Sequence, residues 1–245
     1  MKNFKLIVEY DGSAYHGWQR QQNSPTIQGE IENVIRIMTG IRVALIGSGR
    51  TDAGVHALGQ VANFTCTTRL SPEALLHGLN SLLKKDIVIL ACSYAEDEFH
   101  ARYDVRRKIY QYRILNRSVG SAIGRQYEYF IHRRLDIDAM RSAAATFTGT
   151  HDFKAFEGSG SPRKSSIRTV FRTELIELPD ERLVFEIEAD GFLKCMVRNI
   201  VGTLVYVGFG KIGPESIKEL LLSKTRTLTG PTAPPHGLFL KEVRY

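Results

Sequence analysis

One loop of the sequence gathers residue types that could do chemistry. Gly49 to His56 (GRTDAGVH) places a guanidinium, a carboxylate and an imidazole between glycines. Glycines permit positive φ angles and close approach of a ligand, so Asp52 could face a cleft. A tight turn in which Asp52 caps its own backbone is the structural alternative, which local residue types favour. The loop has neither Gly-Lys-Ser/Thr nor G-x-G-x-x-G, which argues against nucleotide binding.

Two further segments carry unusual combinations of residues. From Arg102 to Arg113 (RYDVRRKIYQYR), cations alternate with tyrosines. This pattern suits RNA, because cations meet phosphates and aromatic rings stack on unpaired bases. A strand with a solvated basic face and tyrosines in the core explains it equally well. Arg198 lies in an otherwise apolar stretch, where a cation needs an anionic partner, either a structural glutamate or a carboxylate of a site.

Charge is distributed unevenly along the 245 residues. Residues 1–100 carry 9 Lys and Arg against 10 Asp and Glu, whereas residues 101–245 carry 24 against 16. The basic second half suggests a polyanionic partner such as nucleic acid, although a cationic surface that only aids solubility is the alternative. The overall composition, 43% hydrophobic and 24% charged, is that of a globular protein.

Targeting and metal signals are missing from the sequence. No run approaches the ~18 apolar residues of a membrane span, and the N-terminus does not read as a signal peptide. Cys66, Cys92 and Cys195 lie far apart without C-x-x-C spacing. This argues against disulfides and zinc and suits a reducing cytoplasm. The histidines lack metal-ligand spacing, and we interpret His56 as a structural hydrogen-bonding residue.

Hydrophobic periodicity and turn residues predict the elements that position these segments. In the first half they give β-α-β-β-α-β, a ferredoxin-like order; its strands are predicted at Phe4–Tyr10, Arg42–Ile46, Gln60–Cys66 and Ile87–Tyr94. Ser24-Pro25 and Ser71-Pro72 are predicted to begin its helices. The second half is predicted to contain strands Lys108–Leu115, Ile167–Leu178, Leu183–Ala189 and Gly237–Val243, with helices Asp136–Phe147, Leu193–Tyr206 and Pro214–Leu222. Two α+β subdomains, residues 1–104 and 105–245, fit this order.

Taken in order, the motifs of this chain resemble the TruA-type tRNA pseudouridine synthases. The matching blocks run over nearly the whole length and include Tyr10-Asp11-Gly12, Gly17 to Gln21 (GWQRQ), Gly49 to Ala57, Phe99 to Tyr103 (FHARY), Tyr110-x-Tyr112, His151-Asp152-Phe153, Met196 to Gly202 (MVRNIVG) and Gly237 to Leu240 (GLFL). Each block alone is a weak signal, but their order is specific.

The resemblance implies a fold, a partner and a reaction. Two ferredoxin-like, or RRM-like, subdomains would share a continuous antiparallel sheet with a central active-site cleft. The protein would be a cytoplasmic homodimer that isomerises uridine to pseudouridine in the anticodon stem-loop of tRNA, at expected positions 38, 39 and 40. The target base would flip out of its stack. The reaction would need no metal and no small-molecule cofactor, and the protein would not be bound to a membrane.

The resemblance also implies roles for individual residues. Asp52 would be the nucleophile, attacking either C1′ of the ribose or C6 of the base. Tyr110 would pack against the target base, and Arg198 would pair with the aspartate. Arg50 would help to hold the flipped nucleotide. Further contacts to tRNA would come from Phe99, His100, Ala101, Arg102, Tyr103, Gly160, Ser161, Pro162, Arg163 and Lys164.

The chain departs from the family pattern at two places. Cys195 stands where the family often has histidine, and Pro235-His236 replaces small residues. Neither change touches the three residues expected to be catalytic. A non-catalytic RNA-binding module and an isomerase acting on another RNA are the alternative functions. An intact Asp52 argues against a pure RNA-binding protein, because a carboxylate facing phosphate would weaken binding.

Overall fold

A computed structural model describes residues 1–160 and 165–245. The chain forms two compact units: Met1–Arg106 together with Phe239–Tyr245, and Arg107–Leu238. The sequence order places the last strand with the second half. In the structure this strand lies in the first unit, because Phe239 and Leu240 pair with His56 and Ala57 there.

The described residues form ten strands and five α-helices, and several strands follow one another without an α-helix between them. In chain order the strands are β1 Lys2–Tyr10, β2 Ile46–Gly47, β3 His56–Cys66, β4 Ile87–Ala95, β5 Arg107–Asn116, β6 Tyr129–Ile131, β7 Gly149–Asp152, β8 Ile167–Leu178, β9 Arg182–Ala189 and β10 Leu238–Arg244. The α-helices are α1 Ile27–Thr39, α2 Pro72–Leu82, α3 Ile137–Ala145, α4 Met196–Gly208 and α5 Ile217–Ser223. This content confirms the α+β class.

In the first unit, β1 lies between β4 and β3, and β10 adds on the far side of β3. The β1 pairs are antiparallel, whereas β10 runs parallel to β3. Phe4, Leu6 and Val8 alternate along β1 with no exposed surface, and Phe4 stacks on Phe64 at 5.3 Å between ring centroids. Period-two alternation therefore forms one apolar face of this sheet.

Capping residues explain where the helices of the first unit begin and end. The prediction of a cap at Ser24 was wrong. The N-cap is Thr26, whose Oγ1 accepts from Gly29 N, and α1 begins at Ile27. The prediction at Ser71 is confirmed, since its side chain accepts from Ala74 N with Pro72 in the first turn. Gly40, with φ +74°, ends α1 in the left-handed conformation.

In the second unit, β9 pairs antiparallel with both β5 and β8, and β7 extends the sheet beyond β8. The short β6 pairs parallel with β5. Helix α3, capped by Asp136, packs against α4 and β8. A cluster of Phe147, Phe153 and Phe156 fills the adjacent core with no exposed surface. Burial of such rings dominates the energetics of a core.

The structure differs from the predicted elements in several places. Residues 42–46 were predicted to form a strand, but β2 is only Ile46–Gly47. The backbone of Leu45 is bound instead by side chains of α1, its N–H by Glu32 and its carbonyl by Gln28. Helix α4 begins at Met196 rather than at Leu193, after Cys195 in the left-handed conformation. The antiparallel sheet that the family resemblance implies has the parallel pairs β3–β10 and β5–β6 in addition.

Candidate active site

The loop that carries Asp52 is held against the segment before α1, within the first unit. Trp18 N donates to Thr51 O at 3.2 Å. A Cβ on Gly17 would lie 2.4 Å from the same Thr51 oxygen, and the φ of Gly17 is +89°, so this close approach requires glycine. The Asp52 side chain is half-buried, and its backbone carbonyl accepts from Val55 N at 3.2 Å. The peptide before the carboxylate is therefore fixed by its neighbours.

Uncharged side chains form hydrogen bonds with the residues of this loop and with each other. Tyr10 OH lies 2.8 Å from Thr51 Oγ1, Ser48 Oγ donates to Gln60 Oε1 at 2.5 Å, and Gln60 Nε2 donates to Gly49 O at 3.1 Å. Burial raises the pKa of Tyr10 far above its usual value, which keeps the phenol protonated. These hydrogen bonds between neutral groups hold the residues before Asp52 against β1 and β3.

His56, at the end of the loop, has contacts of a structural kind. Only 1% of its surface is exposed, and its ring stacks on Phe239 at 4.7 Å. Nδ1 lies 3.1 Å from Asp11 Oδ1 and accepts from Gly12 N at 3.1 Å. A Cβ on Gly12 would lie 2.0 Å from Val55 O, so the Asp-Gly turn also needs its glycine. These contacts join the loop to the end of β1.

Arg50 projects from the same loop but is exposed. Its Nε donates to Gln19 Oε1 at 3.0 Å, and Gln19 Nε2 donates to Gln28 Oε1 at 2.9 Å. Gln28 also accepts from Arg20 N. The guanidinium of Arg50 is thus oriented by a chain of amides that ends in α1, while its NH groups remain near solvent.

The segment Phe99 to Tyr103 is anchored by two buried asparagines. Phe99 O accepts from Asn3 Nδ2 at 2.9 Å and from Asn63 Nδ2 at 3.2 Å, and Asn63 Oδ1 accepts from Ala101 N at 2.9 Å. Tyr245 OH donates to Ala101 O at 2.7 Å. Ala101 has no exposed surface. It is therefore an anchor of this segment, with a backbone fully engaged by the protein.

The residues after this anchor form a turn that presents two side chains to solvent. His100 Nδ1 accepts from the backbone N–H groups of Arg102 and Tyr103, at 3.1 and 3.3 Å, and Asp104 Oδ2 accepts from His100 N. The His100 and Tyr103 rings stack at 4.2 Å, and the Arg102 guanidinium lies 5.6 Å from the Tyr103 centroid. Tyr103 is 73% exposed. The turn therefore offers an ordered aromatic ring beside a cation.

In the second unit, the two tyrosines of β5 are buried. Tyr110 is 8% exposed and meets Phe192 edge-on at 5.0 Å between centroids. Tyr112 has no exposed surface, and its OH donates to Pro234 O at 2.8 Å. Burial and the nearby Tyr129 raise the pKa of Tyr112, whereas the Arg198 cation opposes this shift. For Tyr112, placement in the core is the correct interpretation of the sequence pattern.

Arg198 is half-buried in the first turns of α4, within the second unit. Its Nε donates to Ala233 O at 2.8 Å, while its backbone O accepts from Ala233 N at 3.0 Å. One guanidinium nitrogen lies 4.0 Å from Cys195 Sγ. The arginine is therefore bound at both ends by a single residue of the segment before β10, which leaves little freedom to its side chain.

Gly160 is the only described residue of the predicted basic tRNA-contact loop. It has φ +75°, and a Cβ on it would lie 3.7 Å from Lys194 Nζ. Lys194 Nζ donates to Ser159 O at 2.8 Å, and its backbone O accepts from Gly158 N. The other four predicted contact residues lie outside the described residues: Ser161, Pro162, Arg163 and Lys164.

Comparison with known proteins assigns the family. The family model described as tRNA pseudouridine synthase matches residues 6–104 and 143–245. The chain belongs to the tRNA pseudouridine synthase family. It is 49% identical to "tRNA pseudouridine synthase A" of Thermoanaerobacter sp. (strain X514) and 48% identical to the protein of that name from Acetivibrio thermocellus, each over 100% of both chains. A solved archaeal box H/ACA sRNP Nop10-Cbf5 complex is matched at a TM-score of 0.37 and 13% identity, over 82% of this chain and 44% of that one.

This pseudouridine synthase is thus an isomerase, as the resemblance implied. Its site candidates fall into two sets. The first unit contains Arg50 and Asp52 in one loop. It also contains the segment Phe99 to Tyr103, whose backbone is bound by Asn3 and Asn63. The second unit contains Tyr110 and Arg198, on β5 and α4.

Sequence reasoning missed several residues that position these candidates. Asn3 and Asn63 anchor the segment of Phe99, and Asn199 lies fully buried beside Arg198. For Asn199, an asparagine within an apolar helix is the signal that could have revealed it, because a buried amide requires hydrogen-bonding partners. Alternation gives no such signal for Asn3 and Asn63, which lie on the face of the sheet opposite to Phe4 and Phe64.

Metal-binding clusters and membrane-spanning helices are both absent from the part of the chain that the structure describes. Among residues 1–160 and 165–245, no group of three or more His, Cys, Asp or Glu side chains is placed to hold a metal ion. Within the same residues, no helix combines the length and apolar character needed to cross a membrane.

Proposed function

We propose that this synthase isomerises uridine to pseudouridine in the anticodon stem-loop of tRNA, at positions 38, 39 and 40. The observation that carries the proposal is the fixed loop of Asp52, which holds a half-buried carboxylate on a backbone braced by Gly17 and Trp18. Both relatives named above are called tRNA pseudouridine synthases, which supports tRNA as the substrate.

The reaction rearranges bonds within one nucleotide. The bond between C1′ and N1 breaks, the base rotates, and C5 forms a new bond to C1′. C5 then loses its hydrogen and N1 gains one, so no co-substrate is consumed. Asp52 serves as the nucleophile, at C1′ or at C6, and is released when the new bond has formed.

The other candidates have supporting roles in this proposal. Tyr110 packs against the target base, and Arg198 pairs with the Asp52 carboxylate. The target uridine flips out of its stack, which costs a few kcal/mol. Arg50 offsets this cost by bracing the flipped nucleotide with a guanidinium that its amide partner, Gln19, already orients.

The turn around Tyr103 supplies contacts to RNA outside the reaction centre. His100 fixes the turn, Arg102 offers a cation to phosphate, and Tyr103 offers an exposed ring for stacking. Phe99 and Ala101 act as the anchor of this turn. Gly160 with Ser161, Pro162, Arg163 and Lys164 forms a second contact segment in the proposal.

The proposal includes a homodimer in which one tRNA touches both subunits, and a cytoplasmic location. Cys66, Cys92 and Cys195 are all free thiols, which suits a reducing compartment. Light scattering after size-exclusion chromatography tests the dimer, for which a mass of twice 27.6 kDa is expected. A mass of one chain at micromolar concentration would remove the dimer from the proposal without affecting the chemistry.

Tritium release tests the reaction and its nucleophile together. A tRNA transcript labelled at C5 of every uridine is incubated with the protein, and the label that reaches water is counted. We expect release from the wild type and none from Asp52→Asn, which keeps tRNA binding. Asp138→Asn, the same substitution at an exposed position of α3, is the matched control and should release label normally.

The other outcomes are equally informative. Release by Asp52→Asn at the wild-type rate would exclude Asp52 as the nucleophile. Intact tRNA binding without release by the wild type would indicate a binding module or a different RNA substrate, and a panel of labelled RNAs would separate these. Sequencing of the product for pseudouridine tests positions 38, 39 and 40.

A further inference from the structure

The segment that holds Arg198 is itself held by a hydrogen-bonded clamp far along the sequence. This clamp, as we define it, consists of Asn199, Arg226 and Thr232. Asn199 Oδ1 accepts from Arg226 at 3.0 Å and from Thr232 Oγ1 at 2.7 Å. The same Arg226 nitrogen donates to Thr232 Oγ1 at 3.0 Å. The three side chains thus form a closed triangle of hydrogen bonds.

Asn199 is fully buried, and each side of its amide is engaged. Its Nδ2 donates to Phe156 O at 2.8 Å, while both lone pairs of Oδ1 are taken by the clamp. Such an amide has one orientation only, because a flipped side chain would point its NH₂ at two donors. Asn199 follows Arg198 directly in α4, so the clamp is attached next to the candidate arginine.

Arg226 fastens the rest of the segment. Its other terminal nitrogen donates to Thr229 Oγ1 at 2.6 Å and to Gly230 O at 2.9 Å. The four oxygens that the two terminal nitrogens reach, on Asn199, Thr229, Gly230 and Thr232, are all neutral. A fork of donors reaching four oxygens is a geometric use of arginine that lysine cannot reproduce.

The segment that Arg226 holds, residues 229–233, is in close contact with the backbone of α4. A Cβ on Gly202 would lie 1.6 Å from Pro231 O, and a Cβ on Gly230 would lie 2.4 Å from Gly202 O. Gly230 N also donates to Thr203 Oγ1 at 3.0 Å. This contact leaves the segment no room to shift toward the helix. The clamp prevents the segment from shifting away from the helix. Ala233, which follows Thr232 of the clamp, is the residue whose carbonyl accepts from Arg198 Nε.

We propose that Asn199, Arg226 and Thr232 are positioning residues that fix the carbonyl of Ala233 and thereby aim the guanidinium of Arg198. The proposal rests on the proposed function in which Arg198 pairs with the nucleophile. None of the three is a catalytic residue. Because a misplacement of about 1 Å can cost roughly 100-fold in rate, a device that fixes one carbonyl is of the right kind to affect turnover.

Kinetics of Arg226→Gln give the first test. We expect kcat for tritium release to fall roughly 10- to 100-fold, while KM for tRNA stays within about twofold, because none of the three clamp residues is among the residues proposed to contact tRNA. Arg141→Gln, the same substitution at an exposed position of the same unit, is the control and should leave kcat unchanged. A higher KM with unchanged kcat would overturn the proposal.

A pair of substitutions at Thr232 keeps the test valid if Arg226→Gln does not fold. Thr232 is exposed, so its loss spares the core. Thr232→Val removes the hydroxyl with little change in shape and should lower kcat roughly fivefold. Thr232→Ser restores the hydroxyl and should return kcat to within about twofold of the wild type. Equal kcat values for the two variants would contradict the clamp.

A double-mutant cycle with Arg198→Lys shows whether the clamp acts through the arginine. In that background, Arg226→Gln should lower kcat by no more than about twofold, since the aimed group is already gone. Full multiplication of the two effects would overturn the proposal. Wild-type kcat in Arg198→Lys alone would instead refute the proposed role of Arg198.

A measurement independent of activity separates these two failures. The Nε–H of Arg198 donates to Ala233 O, so its exchange with water, followed by NMR and assigned through Arg198→Lys, should be slow in the wild type. We expect exchange at least about tenfold faster in Arg226→Gln. Unchanged exchange would show that Arg226 does not position Arg198, whatever the role of the arginine.

Discussion

In the proposed function, Tyr103 is the side chain with which the first unit stacks on an unpaired base. It is 73% exposed, yet its position is fixed by the ring of His100 and by the backbone bond to His100 Nδ1. An ordered exposed ring loses little conformational entropy when a base stacks on it. Tyr112, of the same residue type, has no exposed surface and serves the core of the second unit.

Substitution of Tyr103 measures this stacking. Tyr103→Ala should weaken tRNA binding by about 5- to 150-fold, the range of one base–aromatic stack, whereas Tyr103→Phe should bind as the wild type does. Tyr94→Ala removes another exposed tyrosine of the same unit and is the control. Fluorescence anisotropy of labelled tRNA gives the dissociation constants. Equal losses for the Ala and Phe variants would point to the hydroxyl rather than to the ring.

Asp152 shows how a single carboxylate contributes to stability in a pH-dependent way. Ser166 Oγ donates to it at 2.6 Å, and Lys224 Nζ lies 2.9 Å away. These donors hold the pKa of Asp152 below its usual value. A lowered folded-state pKa means that the stabilisation is complete above the unfolded value of about 3.9 and is lost as pH falls through the folded-state value.

The comparison of wild type with Asp152→Asn tests this. At pH 7 we expect the variant to lose about 1 kcal/mol in free energy of unfolding, because the ion pair with Lys224 is gone. As pH falls below the unfolded value of about 3.9 and through the lowered pKa of the folded-state carboxyl, the difference should shrink, since the wild-type side chain is then protonated as well. Urea unfolding at pH 7 and across this acidic range provides the measurement. A difference independent of pH would assign the loss to packing.

At the scale of elements, the loop of Asp52 depends on close approach between backbone segments. Gly12 approaches Val55 O, and Gly17 approaches Thr51 O. These two glycines therefore hold the loop at a position before Asp52 and at a position after it. The loop is therefore part of a rigid assembly with the end of β1 and the segment before α1. In the proposed function, such preorganisation keeps the Asp52 carboxylate in place without cost at the moment of reaction.

Two Gly→Ala substitutions separate this close approach from simple backbone strain. Gly40 has φ +74°, and a Cβ added to it would meet nothing within 4 Å, so Gly40→Ala costs only the conformational strain, about 1 kcal/mol. Gly17→Ala adds a 2.4 Å contact with Thr51 O and should cost roughly 2 to 3 kcal/mol and lower kcat as well. Thermal unfolding and tritium release provide both quantities. Equal effects of the two variants would show that the loop can move aside.

Local patterns predicted most long elements but failed where side chains replaced a backbone partner. The run Phe4–Tyr10 and the Ser71-Pro72 cap are local signals, and both are observed. Residues 42–46 have strand-like residue types, but Glu32 and Gln28 bind the backbone of Leu45. That competition comes from residues 13 and 17 positions away, which a local pattern does not contain.

The candidate site was less accessible to sequence reasoning than the fold. The motif around Asp52 is contiguous and could be recognised. The residues that hold Arg198 are not contiguous with it, because Ala233 and Arg226 lie 35 and 28 residues further along the chain. Short strands such as β6 were also missed, since three residues carry too little periodicity to be distinguished from a loop.

At the scale of the whole molecule, the charge of the chain is concentrated in its second half. The net charge is +7, although the first 100 residues carry one more acidic than basic residue. Several basic side chains form ion pairs within the protein, such as Arg182 with Glu128 and Arg141 with Glu177. The cations that bind phosphate must therefore be found by measurement rather than by counting.

Salt dependence of tRNA binding identifies those cations one at a time. The logarithm of the binding constant should fall linearly with the logarithm of salt concentration, with a slope of about 0.7 to 0.9 for each phosphate neutralised. Arg102→Gln should reduce this slope by about one, because the guanidinium lies exposed in the turn beside Tyr103. Arg141→Gln, whose guanidinium already binds two carboxylates of the protein, should leave the slope unchanged. Weaker binding by Arg102→Gln at an unchanged slope would mean that Arg102 orders Tyr103 instead of contacting phosphate, and the Tyr103→Ala background would then abolish its effect.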